Sequence, residues 1–360
     1  MKHSISIIIP TYNRPELIKK SLCYWSIYPI SIIVLDGSQI ASMNEQELSL
    51  YENVQYYHLP ISLQERLSFA ASNLSTSYAA LISDDEFLTY SSLLEASKIL
   101  DADSEVAAVL GVTLGFDIWR NIFVCKLHYE SSINLDISGK TPKERLNQRL
   151  AVGGNSIYYP LVRVNVLKFA IDFISESTYS CPYITEYQME AIFCAAGKVR
   201  VMPTLMWFRS FGVPMVTTPQ YDRKILLVDW MRDSNNHDDL EKLKASASKH
   251  FFELSPGVND LTGEYFINSY GLPSTKKNKF GSKNILQITK YIYSKLPMFF
   301  KEVVHTILYY LIGRMPGGMM QVPCAIKQLH SRKIKFDIEE IKRIEGIVLS
   351  NSIIVNDFRK

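Results

Sequence analysis

The sequence predicts an α/β protein built on a doubly wound, mainly parallel sheet, and three observations carry that prediction. Ile5 to Ile9 is β-branched and apolar at nearly every position, the pattern of a strand covered on both faces. Further strand-like runs follow at Ile30 to Leu35, Val54 to His58 and Tyr78 to Ile82, separated by helical stretches at Glu16 to Trp25 and Leu63 to Leu74. Polar loops sit at the carboxyl ends of these runs: Thr11-Tyr12-Asn13-Arg14-Pro15, Asp36-Gly37-Ser38 and Ser83-Asp84-Asp85-Glu86-Phe87. Open sheets of this kind bind ligands at those ends. Asn13, Arg14, Asp36 and the 84–86 cluster are therefore expected to converge although far apart in sequence.

Each element has a local reason. Pro10 ends the first strand, and Pro15 suits the first turn of a helix. A helix is expected from Ser91 to about Leu100, then a strand from Val106 to Val112. Residues 114–150 are mixed and carry no clear period. Gly153-Gly154-Asn155 reads as a turn before strand-like Ser156 to Tyr159. Helices follow near Val162 to Phe173 and at Thr185 to Ala196, the latter closed by Gly197, with a returning strand at Val199 to Met202. Beyond it the chain turns more polar. The expected organisation is a catalytic domain over 1–216 and a mostly helical C-terminal extension over 217–360.

Composition narrows the function. The 360 residues suit a domain of about 200–250 residues plus an extension. A hydrophobic fraction of 47% against 21% charged supports a sizeable core and excludes global disorder. A net charge of +3, without a basic stripe among stacking aromatics, argues against nucleic acid. The five scattered cysteines include no Cys-x-x-Cys pair, which fits reduced thiols in the cytoplasm. The N-terminal apolar run is too short for a signal peptide, and no stretch approaches the ~20 apolar residues of a membrane span.

Asp84-Asp85-Glu86 is the strongest chemical signal. Clustered carboxylates at a strand end repel one another unless a positive charge sits among them. Mg²⁺ or Mn²⁺ bridging phosphates supplies that charge through oxygen ligands. The same acids also fit a solvated helix-capping loop. His58, His128, His237 and His305 lack ligand spacing.

Taken together, residues 7–15, 33–38 and 80–87 resemble the family 2 glycosyltransferases and relatives sharing the GT-A fold, over roughly residues 4–210. The resemblance implies a nucleotide-sugar donor, a saccharide or lipid-linked acceptor, Mg²⁺ or Mn²⁺ and an inverting transfer. Pro10, Thr11, Asn13 and Arg14 match the first nucleotide-binding loop. Asp36 matches the second acid of a Val-Asp-Asp-Gly-Ser motif that contacts the base, with Leu35 in place of the first. Asp84 matches the first acid of the Asp-x-Asp motif and Glu86 the last, the expected metal ligand. Asp85 lies between them, and Arg66 falls near a basic position of the family. Glu186 takes the place of the catalytic base, with Thr185 replacing the acid before it and Glu190 one turn on as a weaker substitute. Trp207 and Arg209 follow the last strand, where Trp207 serves equally as sugar platform or core. Two other classes stay open. A nucleotidyltransferase on a related fold would need a Gly-rich loop that 11–14 lacks. A non-catalytic module is suggested by Leu35, Glu86 and Thr185.

Residues 285–311 read as apolar helices flanked by Lys290, Lys295 and Lys301. Such helices lie on an anionic membrane, here its inner face, or pack on the domain or in a homodimer. The final helix, Asp337 to Ser350, mixes acids and bases as a solvated face does.

Overall fold

The computed structural model describes residues 5–133, 135–151, 157, 159–181, 183–212, 227–256, 260–271 and 318–350. It is a mixed α/β structure around one central sheet. The first half follows the expected order: β1 Ile5–Thr11, α1 Pro15–Trp25, β2 Ser31–Asp36, the short α2 Glu45–Leu48, β3 Val54–His58, α3 Leu63–Asn73 and β4 Tyr78–Leu81. These strands lie side by side as β3-β2-β1-β4, all parallel. Pro15 starts α1, which buries Ile18, Leu22 and Trp25 with Ile7 and Ile9 on one face of the sheet. Ser62 and Glu65 form a capping box that starts α3, which packs Leu67 and Ala70 with Ile8 and Ile33 on the other face. The chain thus leaves β1 in opposite directions on its two sides. The edge between β1 and β4 is the switch point at which a crevice opens in such sheets.

The second half runs β5 Phe87–Leu88, α4 Tyr90–Ala102, β6 Val106–Trp119, β7 Ile122–His128, β8 Asp136–Ile137, α5 Pro142–Ala151, β9 Leu161–Arg163, α6 Val164–Ser175, α7 Tyr183–Ala196 and β10 Lys198–Ser210. Here antiparallel strands enter: β10 still runs parallel to β6, but β9 runs antiparallel between β4 and β6, and β7 antiparallel beside β6. The reason is local. Arg120 and Asn121 are both left-handed, at φ 50° and 61°, the backbone of a two-residue hairpin, and a hairpin makes antiparallel neighbours. The strand expected to stop at Val112 runs on to Trp119 to form it.

The segments placed beyond residue 216 join the same cores. Helices α8 Leu227–Arg232, α9 His237–Leu254 and α10 Gly263–Gly271 contribute Trp230, Ala247, Phe251 and Phe266 to the core under α6 and α7. Strand β11 Met320–Gln321 pairs with β7, and α11 Val322–Ser331 and α12 Ile338–Leu349 add Leu329, Ile341 and Ile344 to the core under α1. The residue-216 boundary, Gly153-Gly154-Asn155 and the helices read in 285–311 lie outside the described residues. Among the described residues no helix is long and apolar enough to cross a membrane.

The last helix is not the solvated face its mixed charge suggested. Glu340 is 5% exposed and caps the start of α4 from outside, accepting from the Tyr90 amide at 2.6 Å and from the amide and hydroxyl of Ser91. The Tyr24 and Tyr28 hydroxyls donate to it as well. Glu340→Ala strands these donors in a buried place and is expected to lower unfolding free energy by about 2–4 kcal/mol in a urea melt. An unchanged midpoint would show that the clasp contributes nothing.

Candidate functional site

The loops at the carboxyl ends of β1, β2 and β4 meet as the sequence led one to expect. After Thr11 the chain turns through Asn13, left-handed at φ 54°, and sets Arg14 at the start of α1. Thr11 Oγ1 donates to Asp84 Oδ2 at 2.7 Å, and Arg14 Nη1 donates to Asp84 Oδ1 at 2.7 Å. Asp84 is 2% exposed. Burial pushes its carboxyl above the ordinary range, and Arg14 and Thr11 pull it back. The knot therefore ties the first loop to the acidic cluster across the switch point.

A second knot forms at β2. Asp36 is fully buried and accepts from the Ser38 amide and hydroxyl, the Ser42 amide and the Tyr56 hydroxyl. Burial raises its pKa, but these hydrogen bonds outweigh that and hold it below the ordinary carboxylate range. Ser38 Oγ in turn accepts from the Asn13 amide at 2.7 Å, which locks the two loops together. Asp36 was expected to face the nucleotide base, whereas here both its oxygens organise the 38–42 loop. Arg66 is 5% exposed, and its Nη1 donates to the carbonyls of Thr11 and Leu35 at 2.9 and 2.7 Å. It braces the ends of β1 and β2 rather than presenting a cation. Gly37 lies against it, where an added Cβ would come within 2.4 Å of the guanidinium carbon. Pro10 occupies the last rungs of β1, opposite Leu35.

The three acids of the cluster face different surroundings. Glu86 is 8% exposed and accepts from Trp207 Nε1 at 2.9 Å. Burial, with Asp85 adding to it and Trp207 and Arg209 pulling against it, pushes its pKa up to about 8. Asp85 is held by Ser83 Oγ at 2.5 Å and lies 3.6 Å from Arg14 Nη1. It lines a cavity of about 150 Å³ with Lys20, Asp84, Phe87, Asp117 and Val348.

In this structure the two Asp84 oxygens accept from Thr11 and Arg14, and Glu86 accepts from the Trp207 indole. Among the described residues no group of three or more His, Cys, Asp or Glu side chains is placed to hold a metal. Asp85 lines the cavity beside Asp84, with Arg14 Nη1 3.6 Å from it, and accepts its other close contact from Ser83. The state of Glu86 has a stability signature. Its folded pKa lies above the unfolded value, so the fold carries a cost that grows by ~1.4 kcal/mol per pH unit between about 4.5 and 8. Glu86→Gln removes that cost and keeps an acceptor for Trp207. The variant is expected to gain stability over the native chain as pH rises from 5 to 8 in thermal melts. A gap that stays constant across that range would mean Glu86 is ionised in the fold.

Glu186 lies in the first turn of α7. Burial and the neighbouring Glu190, against the pull of Arg149, push its pKa up to about 7. Among the described residues no hydrogen bond or ion pair joins it to the loops after β1 and β4. Glu190 has a structural role instead: it is 2% exposed, pairs with Arg149 at 2.7 Å and accepts from the Ile157 amide at 2.7 Å. Ser38 and Tyr56 escaped the sequence reading. An acid two residues before a Ser in a turn was the available signal for the first.

No family model matches the chain, and no curated protein does. Among solved structures it is similar to crystal structures of S. aureus TarS. The 1–349 form has a TM-score of 0.47 at 13% identity, covering 96% of this chain and 90% of that one. The same form in complex with UDP scores 0.44 at 13% identity, and in complex with UDP-GlcNAc 0.41 at 14%, each with those coverages. At such scores and identities the activity of this chain has to be argued from its own residues.

Proposed function

We propose that this chain is a glycosyltransferase that takes a sugar from a nucleotide-sugar donor and passes it to a hydroxyl acceptor. The observation that carries the reading is the Thr11–Asp84–Arg14 knot at the switch point between β1 and β4, with Asp85 beside it on an open cavity. A phosphorylated nucleoside seats at such a point, with the loop after β1 against it. Arg14 is the cation placed for the diphosphate, and Asn13 and the Asp36-ordered loop form the rim toward the nucleoside.

A divalent cation would be held by Asp85, with donor phosphates and water completing its shell. Mg²⁺ or Mn²⁺ there supplies neutralisation of charge on the leaving diphosphate. The acceptor hydroxyl needs a base, and Glu186 is the carboxylate whose raised pKa suits proton transfer near neutrality. A base must be ionised to act, so kcat/KM is expected to climb as pH rises through about 7 and to level above it. Glu186→Gln is expected to remove transfer while sparing donor binding. A pH profile already flat from pH 5.5 upward would remove Glu186 from that role.

The reading itself is tested by release of nucleoside diphosphate from a panel of UDP, GDP, CMP and dTDP sugars, with and without Mn²⁺ (nucleoside monophosphate for the CMP sugar). Release from one donor is the expected result. Binding of a donor without release under every condition would favour a non-catalytic module.

A further inference from the structure

Glu186 and Glu190 stand four residues apart on α7, Glu186 in its first turn. Side chains at that spacing share a helix face, and like charges there repel. Arg149, in the last turn of α5, brings a cation to that face and sets Nη2 2.7 Å from Glu190 Oε2. The Ile157 amide donates to the other Glu190 oxygen at 2.7 Å. Two donors on its two oxygens, one of them charged, hold Glu190 as a carboxylate. At side-chain exposures of 7% and 2% the pair is shielded from water, so its charges are screened little.

The guanidinium is half used on this side. Nε–H and Nη2 form one edge of the fork. Glu190 takes Nη2, while Nε is buried with no hydrogen-bond partner among the described residues. Burial would lower the Arg149 pKa, but Glu190 outweighs it and keeps the cation charged. The other titratable groups around the three are Tyr187 and Cys194 of α7, Cys181 just before it and Tyr270 of α10. Burial pushes all four up, Tyr187 and Cys194 to about 12, so each is neutral near pH 7. Glu190 and Arg149 are therefore the charges that act on Glu186, the first against its ionisation and the second for it.

We propose that Glu190 and Arg149 are positioning residues for the transfer: their buried ion pair, one helical turn from Glu186, sets the pH at which Glu186 becomes a carboxylate able to act as base. The inference rests on the glycosyltransferase reading for the role of Glu186, but the coupling it asserts does not. In the transfer, the acceptor hydroxyl gives its proton to Glu186 as its oxygen bonds the anomeric carbon, and the nucleoside diphosphate leaves with the bonding pair. Glu190 and Arg149 exchange no proton.

The test is kcat/KM against pH for the native chain, Glu190→Gln and Glu190→Asp, with thermal melts showing each folded. Gln keeps an acceptor but loses the charge, and Arg149 is then left to favour the Glu186 carboxylate. The acid limb is expected to fall by at least ~1 pH unit, a tenfold change in proton affinity. Asp keeps the charge and should hold the native limb. A limb that stays in place in Glu190→Gln, or moves as far in Glu190→Asp, would overturn the proposal. Should Glu190→Gln not fold alone, it is combined with Arg149→Gln, which leaves a neutral hydrogen-bonded pair. The limb is again expected to fall, and an unmoved limb overturns the proposal there too. A second readout needs no turnover. The folded pKa of Glu186 lies above its unfolded value, so its cost to the fold grows from about pH 4.5 to about 7. Glu186→Gln should therefore gain stability over the native chain across that window, and gain much less when the Glu190 charge is already gone. Equal gains in both backgrounds would overturn the coupling. A chain that turns over no donor would remove the transferase reading and leave these melts to decide the coupling.

Discussion

Replacing Asp85 by Ala is expected to cut donor turnover at least ~100-fold and to leave the melting temperature nearly unchanged. Its carboxylate faces the cavity, is partly exposed and accepts from Ser83, so its removal strands no buried cation. If Asp85 holds the cation that neutralises the leaving diphosphate, its loss removes several kcal/mol of transition-state stabilisation. Glu86→Gln is the control, because Glu86 is buried against Trp207 and does not line the cavity. It should retain most activity and most of its response to Mn²⁺. Were Glu86→Gln inactive and Asp85→Ala active, the motif register read from the sequence would be right and the geometric assignment wrong. The measurement is initial rate against Mn²⁺ concentration for the three proteins.

Asp84→Ala is expected to act through both stability and binding. It removes the carboxylate 2.7 Å from Arg14, leaving Asp85 at 3.6 Å, and takes the acceptor from Thr11. Breaking a buried pair by removing one partner costs about 3–5 kcal/mol. Arg14 has a side-chain exposure of 13%, so some solvent reaches it and the lower end of that range applies. Donor affinity falls too, since the loop after β1 is no longer held against the crevice. Asp84→Asn keeps an acceptor for Thr11 and is expected to lie between the native chain and Asp84→Ala in urea midpoint. Equal midpoints for all three would mean that the knot neither holds the loop nor stabilises the fold.

The first half of the fold was legible because its signals are local. Ile5–Ile9 and Tyr78–Leu81 are covered on both faces, so they read as unbroken apolar runs. Pro15 and the Ser62–Glu65 box mark helix starts within three residues of sequence. The β6–β7 hairpin was not legible, because its turn uses Arg120 and Asn121 in left-handed backbone instead of a glycine. The convergence of Thr11, Arg14 and Asp84 followed from the strand-end rule, but the division of labour among the three acids did not. Glu86 is hydrogen-bonded by Trp207, 121 residues away, and Glu340 is buried by partners some 250 residues earlier. Nothing near either residue announces this. Asp36 and Arg66 were read as ligand contacts from their match to the family's positions, and in this structure their bonds run to Ser38, Tyr56 and the strand-end carbonyls.

The central claim is that a nucleotide sugar seats between the ends of β1 and β4. Hydrogen exchange with and without the donor found in the release panel tests it most directly. Slowed exchange confined to residues 11–14, 36–42 and 83–86 is the predicted result. Protection elsewhere, with these three loops unchanged, would contradict the account.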